Sequence, residues 1–247
     1  PKTGKDFTRS MNKFTKKFIS ELKEIDGFIL KYKSPSCGKN NVNIYYYNED
    51  RKPLSGKGFF GGSIQETFSH LAIEDEGRLN NFTIRENWLT QLFVLAEFRV
   101  IEKNINALVK FHSRNKLLFM AYSQVRLKEM GRVVANNGSL PVKEVFSNYY
   151  NLLCDLLNGN PNFHKWINAL MHAFGGINSE LTSEEKVFFL DKLEEYRDER
   201  IPKSVLKGIL ESWAIRFNNE YLLSQSILNP YPKELNEITD SGKGRNY

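Results

Sequence analysis

Hydrophobic residues recur at helical spacing along most of the chain and at strand spacing in only a few places. An apolar stripe at three- and four-residue spacing predicts a helix over residues 7–22. Its members are Phe7, Met11, Phe14, Phe18 and Leu22. Short runs rich in aromatic and β-branched residues predict strands at 28–32 and 42–47. Helical patterns return at 63–68 and 84–101.

Beyond residue 103 every strong pattern is helical, and we identify no convincing strand. The predicted helices cover residues 105–135, 142–157, 162–173, 184–199 and 204–223. Thr182 followed by Glu185 predicts a capping box for the fourth of them, and Pro202 stands at the start of the fifth. The second part of the chain is therefore expected to be all-α.

The order of these elements predicts two domains of different class. Residues 1–103 have the pattern of the later part of a Rossmann-like α/β domain, and residues 104–235 that of an all-α domain. Residues 236–247 contain too few apolar residues to pack and are expected to form a flexible tail. In open α/β sheets ligands bind beyond the carboxyl ends of the strands, and Cys37 follows the first predicted strand at such an end.

Composition places the chain among ordinary globular proteins. Of its 247 residues 40% are hydrophobic and 26% charged, and no apolar run is long enough to predict a membrane span. The two cysteines form no disulfide framework, so we expect a cytoplasmic protein without a membrane partner. The chain begins with Pro1 in a segment that reads like the middle of a protein, and we expect an N-terminal piece to be missing.

The net charge of +6 is unevenly distributed. Ten lysines and arginines stand against four acidic residues in positions 1–40, and eight against three in positions 104–174. Two basic blocks of this kind can attract a polyanion such as RNA, and they can equally be solvated faces with no partner.

Cys37 lies in the stretch KSPSCG, which puts a thiol on a proline-stiffened loop after a strand. A thiol in this position can be a metal ligand, or a small buried side chain, which is the common fate of a free cysteine. The stretch alone leaves both interpretations open.

Several longer segments, taken together and in order, resemble a known family. In the first part they are GKDFT, DGFILKYKSPSCG, GKGFFGGSIQETF and EDEGRLNNFTIRENW. In the second they are LVKFHSRNKLLFMAYSQ, KEMGRVVA, HAFGGINSELTSEEK, YRDERIPKSVL and NPYPKEL. Over residues 4 to 235 the chain resembles the thiouracil desulfurase (TudS) family, in particular members fused to a YbgA-type C-terminal domain.

The resemblance implies an iron–sulfur enzyme that removes sulfur from a thiolated uracil, in fused members 4-thiouridine in tRNA. Three cysteines would hold a four-iron four-sulfur cluster whose open iron takes the substrate's sulfur, after which water replaces the sulfur with oxygen. Cys37 would be one of these ligands, and Ser34 would assist catalysis. The α-helical domain would help to hold the RNA.

The chain departs from the family pattern at the other two ligands. The matching cysteines belong to segments that precede residue 1, and Cys154 stands in NLLCDLL, an apolar helical run typical of a core. We therefore expect a fragment of a longer enzyme, inactive alone, in preference to a lineage that has lost the cluster.

The predicted helix over 105–135 supplies the candidate RNA-binding residues. His112, Lys116, Phe119 and Arg126 fall within about 80° of one another on a single continuous helix. Bases could stack on Phe119 while Lys116 and Arg126 contact phosphate. Arg114 and Arg132 are further basic candidates on the opposite side. The alternative is a core histidine with satisfied hydrogen bonds, flanked by basic side chains that reach solvent.

Two other functions stay open. One is a non-catalytic RNA-binding protein in which the α/β part is only a scaffold. The other is a mononuclear metalloenzyme, which ranks last because the sequence offers no ligand pair at helical spacing. His164 and His172 are interpreted as structural, and His70 carries no distinguishable signal. The sequence predicts neither the preferred thiolated base nor an oligomeric state.

Overall fold

The structure is a computed structural model and describes residues 5–45, 54–135 and 138–236. These residues form two compact units, and the division falls inside the third helix, between Ala96 and Glu97. The division lies earlier than the domain boundary expected after residue 103, because Phe98 stacks on aromatic rings of the second unit. Its ring lies 5.5 Å from Tyr149 and 5.7 Å from Tyr150. The predicted tail lies outside the described residues beyond Asn236.

The first unit combines short strands with helices. Its elements in chain order are α1 Thr8–Glu21, β1 Gly27–Leu30, β2 Val42–Ile44, β3 Leu54–Gly56, α2 Phe59–Thr67, β4 Ala72–Asp75 and α3 Phe82–Val100. A 3₁₀ turn at Arg78–Asn80 precedes α3. The first predicted strand is confirmed as β1, which ends at Leu30. The second is confirmed as β2, which covers its first three residues, and residues 46–47 of that prediction lie outside the described part. Strands β3 and β4 were not predicted from the sequence.

The strands form two small sheets. β1 and β4 pair in parallel, with Gly27 opposite Ala72 and Leu30 opposite Asp75. Position 27 requires glycine, because a Cβ atom there would lie 2.5 Å from the Ala72 carbonyl oxygen. β2 and β3 pair antiparallel. The parallel pairing places the residues after Leu30 and after Asp75 together at the carboxyl end of the two strands.

Helix α1 is present as predicted, but its apolar stripe is not its buried face. Phe7 and Phe14 are 60% and 56% exposed, whereas Thr15 is 1% exposed. Phe18 lies against Phe60 of α2, with 5.4 Å between ring centroids. The stripe therefore predicted the helix correctly without showing which side packs.

The second unit is entirely helical over its described residues. After the end of α3 it contains α4 Ile105–Tyr122, α5 Gln124–Ala135, α6 Val142–Leu157, α7 Phe163–Gly175, α8 Ser183–Arg197, α9 Lys203–Arg216 and α10 Glu220–Ser224. Short 3₁₀ turns lie at Asn178–Glu180 and Lys233–Leu235. The α/β and then all-α fold class expected from the sequence is confirmed. No helix among the described residues has the length and apolarity that crossing a membrane requires.

Two predicted helices are each divided in two, so both predictions of a continuous helix were wrong. Residues 105–135 break at Ser123, whose backbone is extended (φ −161°, ψ 115°) and whose hydroxyl accepts the Arg126 N–H at 3.3 Å. Residues 204–223 break at Asn218, which has φ 50°, and the Asn219 side chain caps α10. In both places a polar side chain starts a new helix, which sequence periodicity alone does not reveal.

The core of the second unit is rich in stacked aromatic rings. Phe174 and Phe189 lie parallel, 4.7 Å apart, and Trp213 packs 5.8 Å from Phe189. The capping box predicted for α8 is present, with Thr182 and Glu185 each bonded to the other's backbone N–H. Side-chain packing and helix caps thus stabilise this unit.

Candidate functional site

The loop after β1 is a tight turn held by backbone hydrogen bonds. The Ser34 N–H donates to the Lys31 carbonyl at 3.3 Å, and the Gly38 N–H donates to the Ser34 carbonyl at 2.8 Å. Lys33 adopts a left-handed backbone conformation, with φ 55°. These bonds turn the chain sharply, so that Cys37 is presented on a fixed loop beyond the carboxyl end of the strand.

The hydroxyl of Ser34 stabilises this loop from within. Its Oγ accepts the backbone N–H of Cys37 at 3.1 Å and that of Ser36 at 3.3 Å. The Ser36 hydroxyl lies 3.1 Å from the same oxygen. This arrangement is typical of serine in turns, where the side chain satisfies backbone donors that no strand or helix pairs. Ser34 therefore has a structural role in the loop, whatever its chemical role.

The N-terminus of α2 docks on the same loop. Its first free N–H groups donate to the loop carbonyls: Phe59 to Pro35 at 3.2 Å and Phe60 to Ser36 at 2.7 Å. Just before the helix, the Gly58 N–H donates to the Gly38 carbonyl at 2.9 Å. The unpaired donors of the helix end and the unpaired acceptors of the loop therefore satisfy each other.

Two glycines make this close approach possible. A Cβ atom on Gly58 would lie 2.6 Å from the Ser36 carbonyl oxygen, and one on Gly61 would lie 2.5 Å from the Cys37 carbonyl oxygen. Real side chains do not come so near to backbone atoms. The glycine-rich stretch before and within α2 therefore has a packing function.

The thiol of Cys37 is half-buried at the surface of the loop, and its Sγ lies 3.4 Å from the Ser36 hydroxyl. The Ser36 hydroxyl is therefore the polar side chain placed against this sulfur, and sequence reasoning did not single it out. The SPSCG motif was the available signal, but it does not say which of its serines faces the sulfur.

The other thiol, Cys154, lies in α6 and is 5% exposed. Burial raises its pKa to about 11, so it stays protonated at neutral pH. This environment agrees with its interpretation as a core residue.

Acidic residues at the end of β4 lie at the carboxyl end of the sheet, where the loop follows β1. Glu74 is 7% exposed, and its Oε1 lies 3.1 Å from the Lys39 ammonium and 3.0 Å from Arg78 Nε. Lys39 also donates to the Ile73 carbonyl at 2.6 Å. This pairing connects the residue after SPSCG to β4, and sequence reasoning missed it because β4 was not predicted.

Asp75 is the most deeply buried carboxylate of this group, at 2% exposed. Burial raises the pKa of Asp75, although the hydrogen bond from the Arg78 N–H at 2.8 Å opposes that rise. The neighbouring Glu76 accepts the Tyr32 N–H at 2.7 Å and so holds the first residues after β1. The acidic segment at the end of β4 therefore stabilises the start of the loop that follows β1.

The residues described do not supply the ligand set that an iron–sulfur cluster requires. Within the described ranges, no group of three or more His, Cys, Asp or Glu side chains could hold a metal ion. The sequence has two cysteines, and Cys154 is buried in the second unit. Cys37 alone offers one thiolate where the resemblance implies three. The ligand role of Cys37 and the catalytic role of Ser34 remain predictions.

In the second unit the predicted RNA-binding residues do not share one face, because the break at Ser123 separates α4 from α5. Phe119 is fully buried, so its proposed stacking with bases has no support in this structure. Arg114 forms an ion pair with Glu97 at 3.1 Å, and Arg126 forms ion pairs with Glu129 at 2.8 Å and Asp155 at 3.6 Å. Arginines neutralised in this way offer less to a phosphate.

The remaining candidates are differently placed. Lys116 and Arg132 are exposed. His112 is half-buried, and its Nδ1 lies 3.1 Å from the Tyr149 hydroxyl of α6. Its pKa is lowered by burial and by the nearby charge of Lys116. His112 thus has a fixed hydrogen-bond partner within the unit.

Fold and loop define a two-part protein, an α/β unit that presents a thiol loop and a separate helical unit. Residues 1–76 match the family model described as 2-thiouracil desulfurase, and residues 116–232 match that of a protein of unknown function (DUF1722). The chain therefore joins a segment that matches 2-thiouracil desulfurase to a segment that matches DUF1722, in agreement with the resemblance seen in the sequence, and the first match points to an enzyme.

A curated relative matches more than half of the chain. The chain is 24% identical over 155 residues to the uncharacterized protein YbgA of Escherichia coli (strain K12), which covers 61% of this chain and 92% of that protein. No solved structure matches the chain.

Proposed function

We propose that this chain takes part in the removal of sulfur from thiolated uracil, with 4-thiouridine in tRNA as substrate, in the cytoplasm. The observation that carries the proposal is the match of residues 1–76 to 2-thiouracil desulfurase, together with the SPSCG loop. The reaction replaces the C4–S bond of the base by a C4–O bond from water, and the sulfur leaves as hydrogen sulfide. Its balance is hydrolytic and needs no oxidant or reductant.

Cys37 is the residue proposed to work at this site, as one thiolate ligand of a four-iron four-sulfur cluster. In support, its thiol is half-buried on a loop that Ser34 and the N-terminus of α2 hold in place. When bound, such a cluster would supply a Lewis-acidic iron that attracts a soft sulfur. The other ligands of the proposed cluster are not among the cysteines of this chain, so the reaction requires thiolates from outside these 247 residues.

The loop geometry divides the two serines between different tasks. The Ser34 oxygen accepts two backbone N–H groups, so it orders the loop, while the Ser36 hydroxyl lies beside the Cys37 sulfur. We propose that Ser36 donates a hydrogen bond to the thiolate, which stabilises the charged form. Ser34 can still assist catalysis through its own proton.

The proposal is tested with the natural protein that carries this chain, by measuring 4-thiouridine in tRNA before and after incubation, together with released sulfide. Cys37→Ala should remove both activity and iron, whereas Ser36→Ala should keep the iron and lower turnover. Ser34→Thr keeps the hydroxyl that orders the loop and should retain more activity than Ser34→Ala. Unchanged iron content in Cys37→Ala would withdraw the ligand assignment.

A non-catalytic RNA-binding protein is the second candidate. It is favoured by the single thiol of the loop, Cys37, because one thiolate does not complete a cluster site. It predicts tRNA binding by the wild-type protein, no loss of 4-thiouridine under anaerobic conditions with iron and sulfide supplied, and no effect of Cys37→Ala on binding. Sulfide release that depends on Cys37 would eliminate this candidate.

A further inference from the structure

Histidine 112 is held in one orientation by a buried tyrosine. Its Nδ1 lies 3.1 Å from the Tyr149 hydroxyl, and Tyr149 is fully buried between aromatic rings, including Phe98 and Phe111. Burial, with the charge of Glu97, raises the pKa of Tyr149 well above its ordinary value, so the phenol stays protonated. When the phenol O–H donates to Nδ1, the imidazole carries its own proton on Nε2 and can donate it to a ligand.

The Nε2 atom faces a glycine on the neighbouring helix. A Cβ atom on Gly131 of α5 would lie 3.7 Å from Nε2, which is ordinary van der Waals contact. Close packing therefore does not require glycine here, although glycine inside a helix is less favourable than alanine by about 1 kcal/mol. What the glycine provides is room in front of the Nε2–H donor.

Three cations, Lys116, Lys128 and Arg132, lie along the line where α4 and α5 pack against each other, which we call the seam. His112 and Gly131 are in contact although each is roughly two to three turns from Ser123, so α4 and α5 run back along each other. Lys116, one turn nearer to Ser123 than His112, is then level with Lys128. On α5, Lys128 and Arg132 are one turn apart on the exposed side.

These cations differ from the neighbouring arginines in having no carboxylate partner. Over the described residues Lys116, Lys128 and Arg132 form no ion pair, whereas Arg114 and Arg126 do. Residues 105–135 contain a single acidic side chain, Glu129, and it pairs with Arg126. Within the described residues, no carboxylate of α4 or α5 therefore neutralises the three cations.

We propose that the seam between α4 and α5 binds phosphate groups, with His112 Nε2–H as a directed donor and Lys116, Lys128 and Arg132 as the surrounding cations. The inference rests on the proposed RNA substrate and names where the helical unit contacts it. Phosphate oxygens suit this set because a neutral N–H donor fixes position while flexible cations neutralise charge. The same chemistry is shared by an RNA backbone and by free inorganic phosphate, which the experiment separates.

The test is a titration of the full chain with tRNA at two salt concentrations. The double reversal Lys116→Glu/Lys128→Glu should weaken binding at least tenfold, and should reduce the salt dependence by about two phosphate contacts. The matched control is Lys110→Glu/Lys143→Glu, which changes the same charge at exposed positions away from the seam and should change the Kd by less than about threefold. His112→Phe, which keeps a ring but has no N–H donor, should weaken binding with little change in salt dependence.

Gly131 provides a steric arm of the same experiment. Gly131→Ala should retain binding, and Gly131→Leu, which fills the space before Nε2, should weaken it while circular dichroism shows an unchanged helix content. Equal affinity in both variants, or equal effects of the seam and control reversals, would overturn the seam and leave the proposed RNA substrate standing.

A parallel titration with inorganic phosphate identifies the source of the ligand. The wild-type chain could bind phosphate but not tRNA, and the seam reversal could abolish that phosphate binding. This result would support the seam as a phosphate site and overturn RNA as the substrate. Absence of both tRNA and phosphate binding in the wild-type chain overturns the seam and the RNA-holding role together. Loss of 4-thiouridine from tRNA remains a separate readout of the proposed reaction.

Discussion

The two cysteines of this chain occupy opposite kinds of environment. Cys37 is half-buried on a loop held by backbone hydrogen bonds, a serine hydroxyl and two close-packed glycines. Cys154 is buried in a helix of a unit whose core consists of packed aromatic and aliphatic side chains. The first arrangement specifies the position of one sulfur atom, and the second stabilises a fold. The comparison shows that a hydrogen-bonded loop positions the cysteine of the α/β unit, whereas core packing positions the cysteine of the helical unit.

The largest expected effect concerns the core of the helical unit. Phe189→Ala removes a fully buried ring that stacks on Phe174, so it should lower the free energy of unfolding by about 3–5 kcal/mol. Phe188→Ala, at a side chain 47% exposed on the same helix, is the control and should cost less than about 1 kcal/mol. Chemical denaturation of both variants measures the difference. Similar losses would mean that stability does not reside in this core.

The second prediction compares the thiols directly. The pKa of Cys154 is raised to about 11 and its side chain is buried. In native protein below neutral pH, a thiol reagent should therefore modify Cys37 at least about a hundredfold faster than Cys154. Peptide mass analysis of labelled protein gives the two rates, with denatured protein as control. Comparable native rates would contradict the core position of Cys154.

The third prediction tests the loop. Gly61→Ala places a Cβ against the Cys37 and Gly38 carbonyls, so it should destabilise the first unit by about 1–3 kcal/mol and alter the labelling rate of Cys37. Gly62→Ala adds the same atom where only the Lys57 side chain is near, at 3.4 Å, and should be neutral or slightly stabilising. Equal behaviour of the two variants would show that α2 does not press on the loop.

The smallest effect is a pH dependence at the sheet edge. The folded-state pKa of Asp75 is raised, so ionisation costs stability above its ordinary value of 3.8, and the cost is absent below that value. Asp75→Asn keeps an oxygen for the Arg78 N–H and should raise the unfolding midpoint slightly at neutral pH, with no gain near pH 3. Destabilisation at neutral pH would show that the charge of Asp75 has a favourable partner.

Much of the secondary structure was predictable because it depends on neighbours in sequence. The limits of α6 follow from its apolar period, and the start of α8 follows from the capping pair Thr182 and Glu185. Even the strand before SPSCG was visible, since Phe28 and its neighbours form a short apolar run. What failed locally were the breaks at Ser123 and Asn218, where a side chain or a left-handed residue ends a helix that periodicity continues.

For the candidate site, the motif identified Cys37 and Ser34 but not how they are held. The role of Ser36 beside the sulfur, the glycines beneath the loop and the ion pair of Lys39 with Glu74 all involve residues that sequence reasoning left without a function. In the helical unit, the set His112, Lys116, Phe119 and Arg126 was derived from one continuous helix, and the hairpin at Ser123 separated its members.

The sequence by itself determined the fold class, an α/β part followed by a helical part, together with most of the helices and the resemblance of each part to a known family, because period, caps and motif residues are local properties. The tertiary structure alone decided which groups meet: α2 on the loop, Tyr149 on His112 and Gly131 before Nε2. It also decided that Arg114 and Arg126 are neutralised by carboxylates. Such contacts depend on how helices and strands pack across long separations in sequence, and no local pattern encodes them.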